Sequence, residues 1–266
     1  MQLHRAVLAS LAAGLAAVTV SQAQSVAPNE SGLWQIWVAS TNAGDDHASV
    51  VTACSDFRAS SPQDPLVVVV AGLEAWRLLK MGNTREAVPL LESMVSVPEK
   101  ATFLQTTGAE MARGWLSRID REKVLISLKK VYVRDIEFPA SLDLIKSLKK
   151  ATMPPFSDRW GTPWSYRLGS TIKGMDTQHY VLESTRLGAQ SDLATALALP
   201  YADRITPEPV RRLPASADTV EFMTSTGKSA FMPPGGNAEG ATFAYMGSNL
   251  IVMADGNHWR IMPKPR

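Results

Sequence analysis

The chain has a single cysteine, Cys54, and four histidines in 266 residues. One thiol excludes a disulfide framework, so the fold must stand on packing alone. The apolar neighbours Val50, Val51 and Ala53 point to a buried thiol and not a reactive one. His4, His47, His179 and His258 are scattered along the chain; no pair has metal-ligand spacing, and there is neither an H-E-x-x-H segment nor a cysteine cluster. A zinc centre is not expected, and His179 and His258, beside predicted strands, read as structural imidazoles. The serines offer no G-x-S-x-G elbow, and Pro233-Pro234-Gly235-Gly236 lacks the lysine, serine and helix of a phosphate loop. Long apolar runs are also missing after the first two dozen residues. Val67 to Ala71 is the strongest, and it is too short and too near Glu74 and Arg77 to cross a bilayer.

What is present begins with a leader. His4 and Arg5 supply a basic start, Ala6 to Val20 an apolar run, and Ser21 and Ala23 the small residues of a cleavage site. This pattern predicts a signal peptide over residues 1–23, cut after Ala23, and a periplasmic or extracellular mature protein. The apolar run is rich in alanine and shorter than the roughly 20 residues of a membrane span, which argues against a retained anchor.

The formal net charge is +2, but the charge is unevenly spread. Acids lead from Gln24 to Ala112, and bases lead from Arg113 to Lys173. The simplest reading is two solvated faces; the alternative is attraction to an anionic surface.

Apolar residues at three- and four-residue steps (Leu66, Val69, Val70, Leu73, Trp76, Leu79) predict a helix closed by Gly82-Asn83. Thr84 is expected to cap a second, carrying Ala87, Leu90, Leu91 and Met94 on one face up to Pro98. An earlier hairpin is expected from Leu33 to Pro62, and a third helical unit from Ala101 to Ile119. Asp120 to Val133 reads as an amphipathic helix with Val124, Leu125, Leu128, Val131 and Tyr132 inside. A short helix from Ser141 to Leu148 follows, then strands at Trp164 to Leu168 and His179 to Glu183. Pro200, Pro207, Pro209 and Pro214 suggest a linker. Beyond it, Thr219–Met223, Ser229–Met232, Ala241–Met246, Leu250–Met253 and His258–Met262 alternate like strands, with hairpin signals at Gly247-Ser248-Asn249 and Asp255-Gly256-Asn257.

Two resemblances add to this. Ala75, Gly82, Ala87, Leu91 and Pro98 make the hairpin of residues 66–98 resemble a tetratricopeptide repeat, and Pro62 and Pro98 stand at a spacing close to the roughly 34 residues of that repeat. Such repeats stack into surfaces that bind partners. More specifically, Asp158-Arg159-Trp160-Gly161-Thr162-Pro163-Trp164-Ser165-Tyr166, then Tyr180-Val181-Leu182-Glu183-Ser184 and Leu187-Gly188-Ala189, follow a long helix and Phe138-Pro139. That order resembles the globular head of the major pseudopilin of type II secretion, whose pattern is D-P-W-G-N-P-Y-x-Y followed by Y-D-L-x-S-x-G-A-D-G. The resemblance covers about residues 120–193 and implies a helix with a small sheet laid on it.

Without the family, Gly161 permits a turn closed to most residues, Pro163 fixes entry to a strand, and Trp160, Trp164 and Tyr166 supply apolar area to pin that sheet. Two departures stand out. The chain lacks the glycine cleavage site and long apolar filament helix of a pseudopilin. Gln190 also stands where the family has a key calcium aspartate, with Thr185-Arg186 inserted nearby. A neutral amide and a guanidinium weaken a calcium site, unless Asp192 serves from a shifted position.

The expected fold class is α+β: helical repeat-like hairpins (24–118), a pseudopilin-head-like helix with a small antiparallel sheet (119–199), a proline-rich linker (200–215) and a separate antiparallel β module (216–266). No catalytic, cofactor-binding or metal residue is assigned and no cofactor is expected. The expected function is an exported, non-enzymatic envelope protein that binds or scaffolds proteins beside a type II secretion or pilus-like system. Alternatives are an exported hydrolase with an acidic pair drawn from Asp143, Asp158 and Glu183, and an extracellular adhesion or ligand-binding module. Lys146, Lys149 and Lys150 lie close to Trp160, Trp164 and Tyr166 in sequence, yet they suit a helix C-terminus and nucleic acid is not an expected partner.

Overall fold

The computed structural model describes residues 26–147, 153–169, 179–199, 206–213 and 218–266. The leader at residues 1–23, Lys149, Lys150, Lys173, Pro200 and Pro214 lie outside the described residues.

The fold is α+β. Five helices come first: α1 (Glu30–Asn42), α2 (His47–Ser60), α3 (Val67–Lys80), α4 (Thr84–Val95) and α5 (Phe103–Asp135). Short polar side chains set most of the starts by accepting orphan N–H groups. Asn29 takes Gly32 N–H at 3.0 Å and Asp46 takes Ser49 N–H at 3.2 Å. Thr102 and Gln105 form a reciprocal capping box. Asn83, and not Thr84, caps α4 through Glu86 N–H at 3.4 Å; Thr84 is the first helical residue. Successive helices pack on one another, α2 on α3, α3 on α4 and α4 on α5.

A boundary between two domains expected at residues 118/119 falls inside α5, which runs unbroken for 33 residues. This helix is shared. Its first half belongs to the core of the helical hairpins, through Leu104, Met111, Ala112, Trp115, Leu116 and Ile119. Its second half builds a smaller core from Val124, Leu128 and Val131 with Ile145, Trp164 and Leu182. Trp164 and Leu182 come from the region of a two-stranded antiparallel hairpin, β1 (Ser165–Leu168) and β2 (Tyr180–Glu183). The segment expected as a helix at residues 141–148 is a 3-10 helix, Leu142–Ser147. After β2 a second 3-10 turn (Gly188–Ser191) leads into α6 (Leu193–Ala198), capped by Asp192.

The remaining strands form two antiparallel sheets. One has the order β3-β4-β5 (Glu208–Arg212, Val220–Met223, Ser229–Met232); the other has the order β6-β7-β8-β9 (Asn237–Ala238, Ala241–Met246, Leu250–Ala254, Trp259–Pro263). Part of the expected linker is therefore strand β3. Its prolines hid it, and they are tolerated because β3 is an edge strand with a register shift between Pro209 and Arg211.

Residues 216–266 do not stand apart from the helices. Alternate residues of a strand face opposite sides, and both sides of β8 are buried. Leu250, Val252 and Ala254 join the helical core, whereas Ile251 and Met253 join Val220, Phe222 and Met232 of the three-stranded sheet. The result is three layers: helices, the four-stranded sheet, and the three-stranded sheet. Trp259 on β9 is the main wedge into the helices. It is fully buried, and Gly72 on α3 and Gly108 on α5 make room for its indole: a Cβ at Gly72 would fall 2.4 Å from Trp259 Nε1, and one at Gly108 would fall 3.4 Å from its ring. At the far end, the buried Glu30 of α1 accepts from Tyr245 Oη at 3.0 Å and from the Ser248 and Asn249 N–H groups at 2.6 Å each, pinning the β7–β8 turn.

Candidate functional site

One stripe of α5, with Glu110, Gly114, Ser117, Arg118 and Arg121 at three- and four-residue steps, faces three loops that follow it in the sequence. The first is the turn at residues 158–162. Asp158 is 4% exposed; its Oδ1 accepts from Trp160 N–H at 3.0 Å and Thr162 N–H at 2.9 Å, and its Oδ2 from Ser184 Oγ at 2.7 Å. Gly161 closes the turn at φ +82°, where a side chain is disfavoured. Arg159 N–H donates to Ser117 Oγ at 3.0 Å, and its guanidinium pairs with the buried Asp120. Trp160 Nε1 donates to Glu110 at 2.8 Å.

The second loop runs from Ser184 to Asp192. Arg118 Nε donates to the Gln190 carbonyl at 2.7 Å, and Arg121 donates to the Leu182 carbonyl at 2.9 Å and to Asp192 at 2.9 Å. The third is the β8–β9 turn, Asp255 to His258. Arg118 Nη2 donates to Asn257 Oδ1 at 2.7 Å, Trp115 Nε1 to the Asn257 carbonyl at 2.9 Å, and Asn257 Nδ2 to Gln190 Oε1 at 3.0 Å.

Between these loops and α5 lies a cleft of about 350 Å³, with Gly114 and Arg118 on the helix side, Trp160 and Arg186 on one wall, and Leu187 and Gly256 on another. Arg186 stacks over the Trp160 ring with its Cζ 5.2 Å from the centroid. Arg118 is fully buried, and its Nη1 has no hydrogen-bond partner among the described residues. Burial pushes its pKa down to about 10, with the charge of Asp255 acting in the opposite direction; it remains a cation at neutral pH.

The residues singled out from sequence fall in different places. Asp143 is exposed and pairs with Lys146. Asp158 is saturated by three donors, and Glu183 lies on β2 opposite Ser165. No hydrogen bond among the described residues joins these three carboxylates. His47 receives Arg77 Nη1 at 2.8 Å, and burial first, then the charge of Arg77, holds its pKa below the ordinary value. His179 is exposed at the start of β2. His258 is fully buried, with the edges of Trp76 and Trp115 at 6.2 and 6.1 Å between centroids. Cys54 is buried, and desolvation pushes its thiol up to about 12. Gln190 and Asp192, the candidate calcium positions, are engaged by Arg118 and Arg121. Among the described residues no group of three or more His, Cys, Asp or Glu side chains is placed to hold a metal ion.

Two readings need correction. The basic segment from Arg113 is not a solvated face at Arg118, Arg121 and Arg159, which clamp loops onto α5. Trp160 is not in the small core, as Trp164 is; it lines the cleft. Sequence inspection missed Arg118 because a charged residue beside Trp115 and Leu116 reads as the outer face of a helix. Gly114, one turn before it in a helix interior, is the signal for close approach.

Comparison of the chain with protein-family models, curated proteins and solved structures finds no match in any of the three.

Proposed function

We propose that the protein is an exported, non-enzymatic component of the cell envelope that holds other proteins in place beside a type II secretion or pilus-like assembly. The observation that carries this reading is α5. A single 33-residue helix enters both the hairpin core and the small core under the pseudopilin-like segment, so the two regions move as one frame and surfaces on each are presented at a fixed separation. That is the physical requirement of a scaffold. The three acidic candidates are engaged in ways that favour architecture over acid–base work: one accepts from its own turn and from Ser184, one is paired at the surface, and one sits in a strand ladder. The secretion-linked part of the proposal rests on the resemblance of residues 158–189 to the pseudopilin head, supported by the positive φ of Gly161 and the packing of Trp164 and Leu182 on α5.

The test is binding of the purified mature chain to purified pseudopilin heads and to the other periplasmic domains of a type II system from the same cell, by sedimentation velocity. Saturable co-sedimentation that is lost on changing exposed residues of α5, such as Ile126 and Val133 (53% and 76% exposed), is the expected result. No complex with any of these domains would reject the secretion link. A hydrolase activity lost in Asp158→Asn while the fold survives would reject the non-enzymatic reading.

A further inference from the structure

We propose that the cleft between α5, Trp160 and the β8–β9 turn is a binding site for a free carboxylate at the end of a polypeptide chain, with Arg118 at its base and Arg186 at its mouth. The choice of a polypeptide as carrier rests on the scaffold reading above; the carboxylate site itself does not. A buried guanidinium is costly unless its charge and its N–H groups are answered. Arg118 spends Nε on a carbonyl and Nη2 on an amide oxygen, at 2.7 Å each, both neutral acceptors. It takes part in no ion pair among the described residues, and Nη1 is left without an acceptor. The nearby Asp255 carboxylate and the Trp115 ring, its centroid 4.8 Å from Cζ, answer part of the charge; what the arrangement lacks is an acceptor for Nη1.

The surroundings say which anion. Gly114 leaves open the space beside Nη1: a Cβ there would lie 3.3 Å from Nη1, 3.6 Å from the Gly256 carbonyl and 3.8 Å from Leu187. A carboxylate oxygen reaches Nη1 along this gap once the Leu187 side chain turns aside, a rotamer change on the fast timescale of side-chain motion. Glu110 and Asp255 also line the cleft and offset the charge of the two arginines, so a dianion such as a phosphate is disfavoured more strongly than a single negative charge. Arg186 is 56% exposed, held over Trp160, and 3.7 Å from Glu110. It swings between Glu110 and an incoming carboxylate at small cost, and the Trp160 ring and Leu187 then cover the last side chain of the peptide.

The full mature chain is titrated with N-acetyl-trialanine bearing a free carboxylate, with the same peptide amidated, and with propionate, followed by calorimetry and by ¹⁵N spectra of the arginine Nε and tryptophan indole groups. The free acid is expected to bind saturably and shift the Arg118 and Trp160 signals, and the amide and propionate to bind at least about tenfold more weakly, as expected for loss of a charge-assisted hydrogen bond or of side-chain cover. Gly114→Ala fills the gap and should abolish binding while the melting temperature holds or rises. Arg186→Gln, at the surface, should weaken binding about tenfold. The proposal is overturned if acid and amide bind alike, if neither binds, or if Gly114→Ala binds as well as the parent. Propionate binding as tightly as the peptide acid would overturn the polypeptide carrier and with it this link to the scaffold reading. Failure to find a secretion partner, with the peptide acid still bound at Arg118, would sink the secretion link and leave the site standing.

Discussion

From Gly108 to Asp120 α5 is buried almost all round, whereas from Arg121 to Asp135 it leaves one side to solvent. The first half touches α3 and α4 and the sheet that carries Trp259; its glycines at 108 and 114 mark places where another element comes close. The second half lays its apolar stripe, Val124, Leu128 and Val131, on the 3-10 helix at Leu142–Ser147 and the β1–β2 region, is tied by Asp120 and Arg121 to Arg159 and Asp192, and exposes Ile126 and Val133. One helix thus serves two cores of unequal size. Burial around the whole circumference requires small residues where another element comes close; burial along one stripe requires only apolar residues at helical steps.

The largest effect is expected where the layers interlock. Trp259→Ala removes the wedge between α3, α5 and the four-stranded sheet and should cost about 3–5 kcal/mol, a large share of the roughly 5–15 kcal/mol of a domain. Helical ellipticity and the sheet should be lost together in one thermal transition. If the helices melt unchanged while the sheet alone unfolds, the shared core is wrong.

Trp164→Ala probes the smaller core with the same side chain. The loss per residue is similar, about 3–5 kcal/mol, but hydrogen exchange should show it confined to α5 beyond Asp120 and to β1 and β2, with α3 and α4 still protected. Trp160→Ala, by contrast, should cost less than about 1 kcal/mol, because its ring lines an open cleft and takes no part in the core. Equal damage from the two tryptophans would contradict the assignment of Trp160 to the cleft.

Next in size is Gly72→Ala. A methyl group there meets Trp259 at 2.4 Å, and overpacking of this kind costs about 1–3 kcal/mol even though alanine is the better helix former. A rise in melting temperature would show that Trp259 has room to move.

The smallest effects concern the loop from Ser184 to Asp192. Thr195 N–H first, and Arg121 after it, hold the Asp192 carboxyl below the ordinary value of 3.8. A depressed native pKa adds stability that is present above 3.8 and is lost as pH falls through the native value. Asp192→Asn should therefore flatten the acid limb of the melting curve by lowering the melting temperature slightly at neutral pH, where that stability is fully present, and leave the low-pH end little changed. Calcium or a chelator should not shift the melt, because Arg118 and Arg121 already engage Gln190 and Asp192. A site at a hundredfold excess of calcium would add about 2.7 kcal/mol, readily seen, and would overturn this.

Much of this architecture was legible in the residues. The strands at Ser229–Met232 and Ala241–Met246 stand where alternation puts them, and the inner face of residues 120–133 follows from its three- and four-residue steps. Periodicity is a local signal, and it works where one face is buried. It failed where burial is two-sided or distant. β8 reads as a strand, but nothing local tells that its two faces serve different cores. β3 was obscured by prolines that only an edge strand tolerates. Arg118 and Asp158 were visible as charges, yet their partners Asn257 and Ser184 lie 139 and 26 residues away in the chain, beyond the reach of any short-range pattern.

The shared core is the central claim, and the most direct measurement is of a chain ending at Leu199, which keeps all of α1–α6 and lacks the two C-terminal sheets. Without Leu250, Val252, Trp259 and Ile261, α3 and the first half of α5 expose their apolar faces. The truncated chain should show a broad, non-cooperative melt with weakened protection throughout α3 and α5. A sharp transition at the melting temperature of the intact protein, with full helical content, would contradict it and restore the C-terminal sheets as a separate module.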